Sequence, residues 1–215
     1  MKTLLDGMLT GLFLQLALGP VFFFILGITV ESNYTNSLAG IAAVTLADYI
    51  YIALSLIGIG QLLRKKQVRT IFGCVSAVIL IFFGVMLLYK GFLHVNDSQQ
   101  MLTIDWTPLN SFTSCFVLTI SSPLTIVFWS SVFSTKAMEK NYQNRQLVIF
   151  GLATGASTFL FLSSTMWVLS FIKSAIPDVI VQILNSLVGS ALIYYGITKA
   201  IKAMGDQKQT SGRIT

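Results

Sequence analysis

Charge is what this 215-residue chain has least of: Asp, Glu, Lys and Arg make up 10% of it, against 54% apolar residues. With a mean hydropathy of +0.78, there is too little polar surface to cover a soluble domain of this length. Cysteine is almost absent. Cys74 falls near the start of one apolar run and Cys115 near the opposite end of the bilayer in another, a separation that excludes a disulfide. The one histidine, His94, stands in a polar segment without a carboxylate or thiol cluster, which argues against a transition-metal site. Glycine-rich phosphate loops and nucleophile elbows are missing, so an ATP-driven pump and a hydrolase are disfavoured. The chain reads as no enzyme and calls for no cofactor. The net charge of +6 does not point to nucleic acid, because the basic residues form no interleaved basic and aromatic face.

What is there is apolar length. A spanning helix needs about 20 mostly apolar residues, and six such stretches cover roughly 3 to 30, 38 to 63, 70 to 93, 112 to 134, 147 to 172 and 178 to 201. Runs such as Val75 to Leu88 are apolar on both parities, so a membrane barrel is excluded and the expected class is all-α, with six transmembrane helices. Lys2 before an apolar run resembles a signal peptide, but Asp6 interrupts it and the hydrophobicity continues to Val30, so this stretch reads as a retained first helix.

Basic residues set the expected orientation. Twelve of the fourteen fall at the amino terminus (Lys2), in the second connection (Arg64, Lys65, Lys66, Arg69), in the fourth (Lys136, Lys140, Arg145) and after the last span (Lys199, Lys202, Lys208, Arg213). Only Lys90 and Lys173 fall on the other side, which predicts both termini in the cytoplasm. The single transmembrane domain spans 1–205, followed by a polar cytoplasmic tail, 206–215, expected to fray.

An internal repeat is legible. Gly84-Val-Met-Leu-Leu-Tyr-Lys-Gly91 matches Gly189-Ser-Ala-Leu-Ile-Tyr-Tyr-Gly196, and at nearly the same separation Pro20 of the first span meets Pro123 of the fourth; Gly40 and Gly151 open the second and fifth. Repeat one covers about 3–93 and repeat two about 112–203. Three spans per unit is an odd number, so the halves are expected to be inverted, as in secondary transporters.

Pro20 and Pro123 each remove a backbone donor inside a span, predicting interruptions near Gly19-Pro20 and Ser121-Ser122-Pro123, where half-helix amides could hold a carboxylate. Asp48 is the one acidic residue deep inside a span, and function is the default reading for such a group. It would pair with a substrate ammonium or carry a coupling proton; its counterpart in the second repeat, Phe159, carries no charge. Gln15 and Asn185 are amides suited to a ligand or to helix glue, and Ser157, Thr158, Ser163, Ser164 and Thr165 give the fifth span a polar stripe. Trp106 and Tyr142 read as interfacial belt residues.

On Leu18-Gly19-Pro20, Gly40 through Asp48, Gly84 through Gly91 and Ser122-Pro123-Leu124-Thr125, the sequence resembles the lysine exporter and homoserine/threonine resistance family of amino-acid translocators. The likeness spans the membrane portion. Members typically carry Pro-Gly-Pro-Asn, Gly-Asp and Asn-Pro; here Leu18, Val21, Ala47 and Ser122 depart from that pattern, and two Asn contacts are lost. The resemblance implies a multi-pass protein of the bacterial inner membrane that exports an amino acid or similar zwitterion by proton or ion exchange with alternating access. Asp48, Gly19, Pro20, Ser122, Pro123, Gln15 and Asn185 are the candidate substrate or coupling residues, and no metal ligand is expected. The alternatives are a non-transporting scaffold protein and a cation or metal exporter. Expected partners are the solute and membrane lipid; a homo-oligomer is left open.

Overall fold

A computed structural model of the chain describes residues 2–15, 20–57, 66–93, 105–121, 124–172 and 178–211. Among them every regular element is a helix: α1 (Lys2–Gln15), α2 (Pro20–Glu31), α3 (Tyr34–Leu56), α4 (Lys66–Leu93), α5 (Pro108–Ile120), α6 (Leu124–Lys140), α7 (Asn144–Ile172) and α8 (Asp178–Ser211). The first apolar stretch holds α1 and α2 and the fourth holds α5 and α6; residues 16–19 and 122–123, on which the expected interruptions fall, lie outside the described residues. Local chemistry fixes several ends. The Asn33 side chain caps α3 by accepting from the Asn36 amide at 2.9 Å. Thr107 caps α5, which opens on Pro108, where a missing N–H costs nothing. Ser121 ends α5 in a turn, and α6 gives way to Asn141 at φ 51°, a left-handed conformation that asparagine tolerates.

The expected fraying of the tail is not what the structure holds: α8 continues as helix through Ser211. Ala203, Met204, Gln207, Lys208 and Gln209 are good helix formers, and a helix nucleated upstream extends through them at little cost.

The helix α2 is the centre of the bundle. Phe24, Ile25 and Ile28 are almost wholly buried against Ile41 and Val44 of α3, Leu80, Phe83 and Leu87 of α4, Leu118 of α5, Met166 of α7 and Leu192 of α8. A second cluster joins Tyr51 and Ile52 of α3, Trp129 and Phe133 of α6 and Phe150 of α7. Around this core, α1 packs on α7, α5 on α3, α3 on α7, and α4 on α8. The outward faces are apolar too: Leu9 and Phe13 on α1, Val78 and Phe82 on α4, Ile183 and Leu187 on α8. Helices apolar on both faces suit lipid rather than water. The helices α3 and α7 are long and apolar enough to cross a membrane by themselves.

The α4–α8 crossing is reciprocal. A Cβ built on Gly84 would stand 2.8 Å from the Gly189 carbonyl oxygen, and one on Gly189 would stand 2.7 Å from that of Gly84. Their further neighbours exchange in the same way, Ile193 for Gly84 and Leu88 for Gly189. These are the glycines that head the matched segments of the repeat.

Candidate functional site

Asp48 lies on the buried stripe of α3 that runs through Ser37, Ile41, Val44 and Ile52, and only 8% of it is exposed. Small residues bring two other helices close to it. On α7, a Cβ at Gly151 would stand 2.7 Å from Ile52 Cγ2, and one at Gly155 would collide with the Tyr49 ring, so α3 rides on these glycines. The Tyr49 hydroxyl donates to the Leu152 carbonyl at 3.1 Å and fixes the pair. On α1, Gly7 and Gly11 do the same against α7: a Cβ at Gly7 would stand 2.6 Å from the Phe150 oxygen, and Thr154 Oγ1 lies 3.1 Å from the Gly7 oxygen. One turn on, four residues from Gly11 and four from Thr154, the two stripes meet in side chains. Gln15 Nε2 donates to Thr158 Oγ1 at 2.7 Å, and the Thr158 hydroxyl lies near the Asp48 carboxylate. No basic side chain among the described residues pairs with Asp48.

The end of α5 reaches the same helix. Tyr51, one turn after Asp48, donates its hydroxyl to the Ile120 carbonyl at 2.6 Å, with the Thr119 carbonyl at 3.2 Å. These carbonyls belong to the last turn of a helix that ends inside an apolar stretch, where no water can satisfy them. Trp129 of α6 packs in the same cluster, 4% exposed, and its indole Nε1 has no hydrogen-bond partner among the described residues.

Two further polar clusters tie helices distant in sequence. Glu31, at the end of α2, accepts from Trp106 Nε1 at 2.6 Å on one oxygen and from Asn185 Nδ2 at 2.7 Å on the other. Asn36 donates to the Trp106 carbonyl beside it. Near the opposite end of α1, Lys136 Nζ stands 2.9 Å from both oxygens of Asp6, Tyr142 donates to Asp6 at 3.2 Å, and the ammonium lies 5.3 Å from the centre of the Phe150 ring. Trp106 and Tyr142, expected as belt residues, thus also hydrogen-bond acidic side chains near helix ends, and Trp106 packs edge-on against Phe24.

Of the residues singled out from sequence, Asp48 and Gln15 are brought together, through Thr158. Asn185 is not with them and pairs with Glu31 instead. Gly19, Ser122 and Pro123 lie outside the described residues, and Pro20 enters as the first residue of α2. Tyr51, Trp129, Glu31 and the Asp6–Lys136 pair carry no sequence signal beyond being polar groups in or near apolar runs. Cys74 and Cys115 are both free thiols, and no group of three or more potential metal ligands occurs among the described residues.

No match was found among the curated proteins or the solved structures. The sequence model of one family, described as LysE type translocator, matches residues 12–203, which takes in the end of α1, all of α2 to α7 and most of α8. With its apolar helices packed around a buried acid, this chain belongs to the LysE type translocator family and is an integral membrane protein of a transport family.

Proposed function

We propose that the protein exports an amino acid or a similar small zwitterion across the bacterial cytoplasmic membrane, by proton or ion exchange with alternating access. The observation that carries this reading is Asp48. A carboxylate is expensive at such depth, and this one is buried near the Thr158 hydroxyl with no cation paired to it among the described residues. It is the group that would meet a solute ammonium or carry the coupling proton. Trp129 supports the same reading, since its buried indole N–H is a donor available to a solute carboxylate. The half-helix amides after Gly19 and Ser122 would share that carboxylate.

The architecture proposed with it is six crossings in two inverted halves, with both termini in the cytoplasm. Support comes from the reciprocal contact of Gly84 and Gly189, since equivalent residues of two repeats meet each other at a two-fold axis. The exchange of α1 on α7 for α5 on α3 is consistent with the same symmetry.

Everted vesicles test the proposal. Uptake of labelled amino acids should be present with the wild-type chain and fall at least about a hundredfold in Asp48→Asn, the scale of losing one buried charge from a transport site. Unchanged uptake would remove Asp48 from the mechanism.

A further inference from the structure

The first three helices each carry one carboxylate, and the three are spread along the length of the bundle. Asp6 stands where α1 and α7 begin and α6 ends, Glu31 stands where α2 ends and α3 and α5 begin, and Asp48 lies between them. The register of α3 gives the spacing. Asn36, in the Glu31 cluster, precedes Asp48 by about 18 Å of helix. Ile52 and Tyr49 lie against Gly151 and Gly155, which sets Asp48 about two turns along α7 from Phe150 in the Asp6 cluster.

Both outer clusters join a helix of the first four to a helix of the last four: Glu31 of α2 with Asn185 of α8, and Asp6 of α1 with Lys136 of α6. Each closes over an aromatic ring of the core. Trp106 of the Glu31 cluster stands edge-on to Phe24, 1% exposed, and the Lys136 ammonium lies 5.3 Å from the centre of Phe150, 0% exposed. A solute that is to reach Asp48 needs contacts at one end or the other to part, because the acid is sealed. Apolar contacts that part into water lose their burial outright, whereas a carboxylate, ammonium or amide at the mouth of the bundle exchanges its partner for water at small net cost. The polar clusters are the contacts suited to break and reform.

From this placement we infer that the two clusters are the gates of the transport path. Glu31 with Asn185 and Trp106 closes one end, Asp6 with Lys136 and Tyr142 closes the other, and both are shut in this structure. The inference rests on the reading of Asp48 as the solute or proton site. The gates differ in chemistry: one is an ion pair, the other sets a carboxylate against an amide N–H and an indole N–H. Opening one while the other stays shut admits a solute from a single face. Opening both makes a leak.

Labelling of a buried thiol from each face tests this and needs no solute. Thr158→Cys in a Cys74→Ser background places a reporter between the two clusters, at a position 1% exposed, while Cys115 stays sealed elsewhere in the core. A membrane-impermeant thiol reagent is applied to intact cells and, separately, to everted vesicles. Lys136→Met should raise the labelling rate about three- to fivefold from one face, the scale of a part-exposed ion pair. Glu31→Gln should raise it about tenfold from the other, since it turns one acceptor into a donor facing a donor. From the opposite face each should stay within about twofold of the parent reporter, as should Lys136→Arg from both faces, and joining Lys136→Met to Glu31→Gln should open both.

A rise from both faces in either single variant, a rise from the same face in the two, or no rise at all overturns the inference, because a tie that only stabilises packing loosens the bundle without regard to side. Should Thr158→Cys fail to fold, Gln15→Cys serves as the reporter. Should Lys136→Met fail, Tyr142→Phe, which removes one bond to Asp6, should give a smaller rise from the same face. Full uptake in Asp48→Asn removes the transport reading by a route that the labelling does not touch, so the two failures are told apart.

Discussion

The C-terminal ends of α1 and α5 stand in corresponding places, each beside α3 or α7 and each leading out of a divided apolar stretch, yet they are held by different chemistry. At α5 the attachment is direct: a tyrosine hydroxyl on the main-chain carbonyl of Ile120. At α1 it runs from side chain to side chain, from Gln15 to Thr158, near the buried acid Asp48. The first attachment holds main chain; the second joins two side chains, one of them beside the buried carboxylate.

Where the halves meet symmetrically, matched substitutions should have matched effects, and this is the largest stability effect expected. Gly84→Ala and Gly189→Ala each push a methyl against backbone and should cost about 3 kcal/mol in thermal melts, with the two values agreeing within about 0.5 kcal/mol. A clear inequality would break the symmetry on which the comparison stands. Next, Tyr51→Phe leaves buried carbonyls of α5 without a donor and should cost about 2 kcal/mol, a loss of stability that Thr158→Val should not reproduce in full. Trp129→Phe keeps an aromatic ring but removes the indole N–H with its five-membered ring; KM should rise about tenfold, with a cavity cost of about 1 kcal/mol in the melt. The smallest effect belongs to the Asp6–Lys136 pair. Its side chains are 27% and 16% exposed, so Lys136→Met should cost under about 1 kcal/mol and less still in high salt.

The helices were legible because lipid demands length, and apolar length can be counted. Pro20 and Pro123 marked where interruptions were to be expected; α2 begins at Pro20, while Gly19, Ser122 and Pro123 lie outside the described residues. Asp48 stood out for the cost of its charge. Thr158 did not, because seven hydroxyl residues lie along α7 and only the rotation of that helix against α1 and α3 decides which one stands near the acid. Glu31 looked like an ordinary residue at the end of a span. Its pairing with Asn185, 154 positions away, is a product of tertiary packing that no local pattern carries. The helical tail of α8 was hidden for the opposite reason: polarity suggested solvent, and good helix formers can be both polar and ordered.

The two cysteines differ more than their number suggests. Cys74 is exposed, whereas Cys115 is sealed at 0% exposure beneath the backbone of Gly40. The native chain thereby has one thiol on the outward face of α4, one turn before Val78, and one withheld inside the bundle. A lipid-soluble maleimide should label Cys74 and spare Cys115 until the bundle is unfolded.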